Sequence, residues 1–197
     1  MLNNLLASVN PETLTKYKNI NTEKLSSTTN INKLLFKLLP EDVFLGCTAR
    51  NSIPVQKLYK MDYAILIVNL DLLSEPGSHF ISLVKYKDTL FMFDSFGLDL
   101  HYQFVLPYLN KHFKTEQIWL NKKQYQSFKS NACGFFCIWF TLFFNNYRPN
   151  VSNIDDLLKK HLSPTKSLIN EKKILKNIYE WVDEHFLCQK NKILCLI

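Results

Sequence analysis

The sequence predicts an α+β fold, a central β-sheet packed against a buried helix that carries a cysteine at its N-terminus, with further helices around it. From Phe135 to Phe144 nearly every residue is large and apolar, which is the pattern of a helix buried on all sides rather than of a surface helix. Tyr63 to Leu70 is a short apolar run rich in Ile and Val, and two β-prone segments between Gly77 and Gly97 are parted by a short polar break. Runs of that length and composition form buried strands. Apolar residues at helical spacing flank this centre on both sides, as outer helices require.

Along the chain, Met1 to Thr29 is rich in Asn, Thr, Ser and Lys and contains Pro11. It is expected to be a weakly structured arm with one short helix near Pro11 to Lys18. Asn30 to Leu39 opens with a cap residue, places Ile31, Leu34, Leu35 and Leu38 on one face and meets Pro40. That spacing predicts a short amphipathic helix and the start of a single domain over 30–197. Tyr63 to Leu70 should lie beside the strand that carries His79. The segments Gly77 to Tyr86 and Thr89 to Gly97 read as a hairpin turning at Lys87-Asp88, in which facing residues have numbers summing to 175. Leu98 to Phe113 has helical character interrupted by Pro107, and Gln117 to Leu120 suits an edge strand leading into a loop at Gln126. Ser152, Asp155 and Asp156 open a helix that Ser163-Pro164 closes, and Glu171 to Leu187 is a last helix with Ile174, Ile178, Val182 and Phe186 in step.

A chain of 197 residues with 47% hydrophobic and 14% aromatic content suits one domain with a sizeable core. No apolar run approaches the ~18 residues of a membrane span, and Met1-Leu2-Asn3-Asn4 lacks the layout of a signal peptide, so a soluble, intracellular monomer is expected. Five cysteines, an odd number, fit reduced thiols better than a disulfide scaffold. The formal charge of +7 suits a nucleic-acid partner. A lysine-rich, AT-biased composition gives the same excess without any binding, and the lysines cluster only at Lys122-Lys123 with Lys129, Lys159-Lys160 and Lys172-Lys173.

Cys133 stands immediately before the apolar run, preceded by Ser130 and Asn131, which can cap backbone N–H groups, and followed by the small Gly134. At a helix N-terminus the macrodipole and free N–H groups favour thiolate, which makes such a cysteine a candidate nucleophile. Its candidate base is His79. In the summed register Asp94 pairs with Ile81 and lies diagonal to His79 on the same face, within reach of an imidazole; a one-residue slip would send it to the other face. Cys137 shares a helix face with Cys133 and reads as packing, since no second ligand pair at zinc spacing exists and no metal is expected. His101, His112, His161 and His185 have no recognisable partners and read as surface or ordinary structural histidines.

The order His79, Asp94, Gln126, Cys133, with Gln-x6-Cys-Gly-x-Phe-Cys at its end, resembles the adenovirus-type cysteine proteases (the adenain family) and, more distantly, the proteases that remove ubiquitin-like modifiers. Phe44-Leu45-Gly46, Val68-Asn69, Phe93 to Gly97 and Ser130 to Gly134 resemble the family in the same order, so the likeness spans about Asn30 to Tyr147. Papain-like enzymes place Cys before His, so chain order argues against them. Two departures stand out: the acid is Asp94 where adenain has glutamate, and the His-to-acid spacing is two residues shorter, which keeps strand parity.

The resemblance implies a mixed central sheet and a cysteine protease with His79, Asp94 and Cys133 as catalytic triad. Gln126 and the Cys133 N–H would form the oxyanion hole. It further implies cleavage of viral precursor proteins at small, glycine-containing sites during virion maturation, in the host nucleus and the virion. The alternative is a deconjugating isopeptidase, and an intact tetrad argues against a silent binding module. The sequence requires no cofactor, while the resemblance implies DNA and an activating peptide as candidates. Adenain tethers its peptide by a disulfide to a cysteine between acid and nucleophile. No cysteine lies between Cys47 and Cys133 here, so any such peptide must bind noncovalently.

Overall fold

In the computed structural model residues 27–194 are described, with side chains to residue 184. The predicted helix near Pro11 to Lys18 and the side chain of Phe186 lie outside these. The first helix, α1, runs Thr28–Leu38, because Ser27 rather than Asn30 caps it, its Oγ accepting from the Asn30 N–H at 3.3 Å. Ile31 and Leu35 face the core, and the helix stops before Pro40.

Five strands form one mixed sheet in the order β1-β2-β3-β4-β5: β1 Phe44–Ala49, β2 Tyr63–Asn69, β3 Phe80–Tyr86, β4 Thr89–Phe93 and β5 Ile118–Leu120. The outer pairs β1·β2 and β4·β5 are parallel; β2·β3 and β3·β4 are antiparallel. The hairpin has the register read from the sequence, Tyr86 opposite Thr89 through to Ser82 opposite Phe93. A two-residue turn allows this because Lys87 takes a positive φ of 53°, as the first position of a primed hairpin turn requires.

The edge strand β1 and a short helix α2, Val55–Lys60, are additions to the sequence reading. The Leu98 to Phe113 region resolves into two short helices, α3 Asp99–Gln103 and α4 Leu106–Leu109, with Pro107 in the first turn of the second, where a missing N–H costs nothing.

The central helix α5 is Cys133–Tyr147, and every residue from Cys133 to Phe144 is buried. Phe140 stacks on Phe93 of β4 with ring centroids 4.3 Å apart, and the Ser82 hydroxyl of β3 donates to the Cys137 carbonyl at 3.1 Å. These contacts pin the helix to one face of the sheet. Each fully buried apolar side chain of that kind contributes about 1.5–3 kcal/mol. At the far end Arg148 adopts a left-handed conformation and lays its guanidinium 3.6 Å from the centre of the Tyr63 ring.

Helix α6 is Ile154–His161 and α7 is Ser167–Leu194, longer than the predicted Glu171 to Leu187. Ser152 does not cap α6; its hydroxyl donates to Asn150 Oδ1 instead. Residues of α1, α5, α6 and α7 build the larger core on the Phe91, Phe93 side of the sheet. Leu66, Leu83 and Met92 point the other way, against Tyr102, Val105 and Leu109. The sheet is therefore sandwiched, and the end of the β3·β4 hairpin meets the start of α5.

Candidate active site

Where β4 ends, the chain turns sharply through Asp94 to Leu98, with the Gly97 N–H donating to the Asp94 carbonyl at 3.0 Å and Gly97 at φ 62°. The Asp94 side chain is fully buried. Its Oδ1 accepts from His79 Nε2 at 2.7 Å and from the Phe96 N–H at 3.0 Å. Its Oδ2 accepts from His101 Nδ1 at 2.8 Å and from the Leu98 N–H at 3.0 Å. Burial alone would raise this carboxyl, but the hydrogen bonds from His101 and His79, the His79 charge and the Leu98 N–H hold it well below the usual carboxylate range. It is a carboxylate at any working pH.

An ionised carboxylate only accepts, so the His79 nitrogen facing it carries a proton. With Nε2 committed to Asp94, Nδ1 is left for the Cys133 thiol, which lies in hydrogen-bonding contact with the ring. Burial would push His79 down, but its bonds to Asp94 and Cys133, with the charges of both, raise it to about 9. Cys133 moves the opposite way. Burial would raise its thiol, yet the bond to and charge of His79, with the backbone N–H groups of Phe80 and Gly134, bring it below the ordinary 9.0. Cys47 is pushed up to about 12 by burial, partly offset by a hydrogen bond from Thr28, and burial also carries Cys137 well above the ordinary value. Of the three cysteines with described side chains, Cys133 alone is shifted toward thiolate.

The structure thus brings together His79, Asp94 and Cys133, two of them from the hairpin and one from α5. Gln126 sits in the preceding loop, fully buried. Its Oε1 accepts from Ser95 Oγ at 2.6 Å, and its Nε2 donates to the Ser130 carbonyl at 2.7 Å. One N–H of the amide is committed to Ser130. Ser130 and Asn131 do not cap α5 as expected. The Ser130 hydroxyl accepts from the Ala132 N–H at 3.2 Å, and Ala132 at the helix start has no capping side chain. The first turn of α5 keeps its positive end open toward the thiol.

His101 corrects the sequence reading, which gave it no partner. The turn at Gly97 and the single turn of α3 fold the chain back so that His101 returns to Asp94, seven residues earlier. One signal was available: an acid, a tight turn with glycine and a histidine one helical turn further on. Rings of His79, Phe96 and His101 pack in a triangle, with centroids 4.8 Å apart for His79–Phe96, 4.6 Å for His79–His101 and 6.0 Å for Phe96–His101. His79, Asp94 and His101 each offer a ligand atom within 4.8 Å of the others, the spacing of a metal site. Here each imidazole is bonded to a separate carboxylate oxygen, which is the arrangement of a proton-holding chain. His112 packs on Tyr59, and His161 lies among Trp139, Phe143 and Tyr147.

A thiol lowered toward thiolate beside a carboxylate-bound imidazole, on an α+β frame, belongs to a cysteine peptidase. The model of the adenovirus endoprotease family matches residues 51–191, well over half of the chain, and the protein belongs to that family. No curated protein matches the chain closely enough to count as a relative.

Proposed function

We propose that the protein is an endopeptidase that matures virions by cutting precursor proteins at glycine-containing sites, with Cys133 as nucleophile, His79 as acid–base and Asp94 as the third member. The observation that carries this reading is the unbroken run of contacts from Asp94 Oδ1 through the His79 ring to the Cys133 thiol at the uncapped start of α5. In the resting pair the proton sits on His79 and the charge on sulfur. The thiolate attacks the scissile carbonyl, and the carbonyl oxygen becomes an oxyanion held by the Cys133 N–H and the free N–H of Gln126. His79 then protonates the leaving amine, which departs as the acyl-enzyme forms. Water, losing its proton to His79, releases the acid product and restores the ion pair. Asp94 keeps Nε2–H in place and stabilises the imidazolium without taking the proton.

DNA as an activator finds support in how the lysine clusters meet. Lys123 acts electrostatically on Asp156 of α6, Lys159 pairs with that same Asp156 at 2.7 Å, and Lys173 of α7 donates to the Lys160 carbonyl at 3.1 Å. Three separate sequence clusters therefore share one side of the domain, where phosphates would displace counterions. A peptide activator would bind noncovalently along β5, one of the two edge strands of the sheet. A monomer acting in the host nucleus and the virion completes the reading.

The test is a panel of Gly-Gly-containing peptides and ubiquitin-like conjugates, offered to the wild type, Cys133→Ala and Cys137→Ala. Cleavage of the peptides that is abolished in Cys133→Ala and kept in Cys137→Ala is the expected result. Activity surviving in Cys133→Ala refutes the assignment, and turnover confined to the conjugates makes the enzyme a deconjugating isopeptidase instead.

A further inference from the structure

We propose that His101 is a positioning residue for the acid–histidine pair, its Nδ1–H holding the Asp94 carboxylate by the oxygen that His79 does not use. The inference rests on the triad reading above and adds a fourth member to it.

The carboxylate is held symmetrically. Each oxygen receives one imidazole N–H and one backbone N–H, at 2.7 and 3.0 Å on Oδ1 and at 2.8 and 3.0 Å on Oδ2. The two backbone donors belong to the 94–98 turn and move with Asp94 itself. The two imidazoles come from outside that turn, His79 from the end of the sheet and His101 from α3. Without His101, Oδ2 keeps only the Leu98 N–H, and the carboxylate plane is fixed from outside on one edge alone. A base that must present Nδ1 to a thiol depends on the plane of the group that holds Nε2, because a tilted acceptor tilts the ring with it.

Packing adds a second constraint. The His101 ring lies 4.6 Å from the His79 ring and forms one wall of the aromatic triangle. His101 is itself held by its neighbour: the Tyr102 hydroxyl accepts from the Asp94 N–H at 3.2 Å and donates to the Asn121 carbonyl at 2.5 Å. Asn121 Nδ2 in turn donates to the Asp94 carbonyl at 2.6 Å. Consecutive residues of α3 thus grip the side chain and the backbone of the acid. A histidine present merely to fill space would not need its Nδ1–H aimed at a carboxylate whose other donors are already in place.

The experiment compares full-length His101→Phe, His101→Asn and Asp94→Asn with the wild type. Phenylalanine keeps the ring and removes the donor; asparagine sets its amide nitrogen near the place of Nδ1 and restores it. Peptide turnover is measured on a fluorogenic Gly-Gly substrate with kcat and KM separated, alongside thermal unfolding. We expect kcat to fall about tenfold in His101→Phe with KM within twofold of wild type, and to recover to within about threefold in His101→Asn, as loss and return of one charge-assisted hydrogen bond would give. If His101→Phe fails to fold, His101→Leu replaces it, since it too carries no donor.

An unchanged kcat in His101→Phe beside an inactive Asp94→Asn removes this proposal and leaves the triad standing. Equal loss in folded His101→Phe and His101→Asn also removes it, because then the donor is not what matters. Full activity in Asp94→Asn would remove the triad reading and this one together.

Discussion

Replacing Gly97 by alanine tests whether the turn that delivers the acid is as tightly built as its geometry indicates. Gly97 sits at φ 62°, and a Cβ there would lie 2.6 Å from the carbonyl carbon and oxygen of Lys123 and 2.8 Å from its nitrogen. The obstacle is backbone. It cannot swing aside, because Asn121 holds Lys123 at both ends, accepting from its N–H at 3.1 Å and donating to its carbonyl at 2.9 Å. The same Asn121 donates to the Asp94 carbonyl, so any retreat of Lys123 disturbs the acid. Left-handed backbone costs alanine about 1–2 kcal/mol, forced overpacking costs about 1–3 kcal/mol, and the stiffer unfolded chain returns about 0.4–1 kcal/mol. The net loss is about 1–5 kcal/mol, which in a chain of this size lowers Tm by about 2–20 °C. Gly46→Ala is the control. Its φ of 104° is also strained, but the nearest atoms to an added Cβ are side-chain ones at 3.6 and 3.9 Å. Thermal unfolding and the rate of Cys133 alkylation by iodoacetamide, measured on both variants, decide the matter. Gly97→Ala should melt well below Gly46→Ala and alkylate more slowly. If the two melt within about 2 °C of each other and alkylate alike, the turn is softer than this reasoning requires.

Three further outcomes follow from the chemistry of the site. Cys133 is lowered below 9.0 and His79 raised to about 9, so thiolate is present above the first and imidazolium below the second. Alkylation should therefore rise with pH at an onset below 9.0 and stay high, while peptide turnover, which needs the imidazolium proton, should fall as pH passes about 9; coincident curves would mean that the pair is not the working state. Asp94→Asn removes the hydrogen bond and charge that, together with those of Cys133, raise His79 against its burial, so the imidazolium beside the thiol is weakened and alkylation at neutral pH should drop. Gln126→Ala should instead cut turnover by about 10²–10³-fold with a much smaller effect on alkylation, and a modest loss of stability as Ser95 and Ser130 lose their partner. Equal effects of the two changes on alkylation would show the roles to be misassigned.

The hairpin was legible because a two-residue turn between two β-prone runs leaves one register, and parity then places His79 and Asp94 on one face. The central helix was legible because ten nearly continuous apolar residues have one stable place, the middle of a core. Strand β1 was not, since Gly46 and Thr48 interrupt its apolar pattern and it is paired only on one side. Helix α2 escaped notice because Leu58 is its one buried residue. The start of α7 was missed because Ser167, Leu168 and Ile169 are partly or largely exposed, while the polar Asn170 is buried. Asn170 is satisfied there by donating to the Tyr125 and Ser163 carbonyls, a tertiary pairing that local periodicity does not register. His101 belongs to the same class. Its partner is defined by a turn whose sharpness depends on Gly97 approaching Lys123, a contact between segments far apart in the chain.

That Cys133 stands at the head of a helix buried from Cys133 to Phe144 has a consequence for motion. Amides in the middle of α5 have no shallow opening through which solvent deuterium can enter, so their exchange should wait for the rarest openings of the domain. On the proposed mechanism the sulfur is then the stationary partner in every turnover. Whatever adjustment a substrate demands falls on the other shore of the cleft, where the acid hangs from a five-residue turn and a single turn of helix.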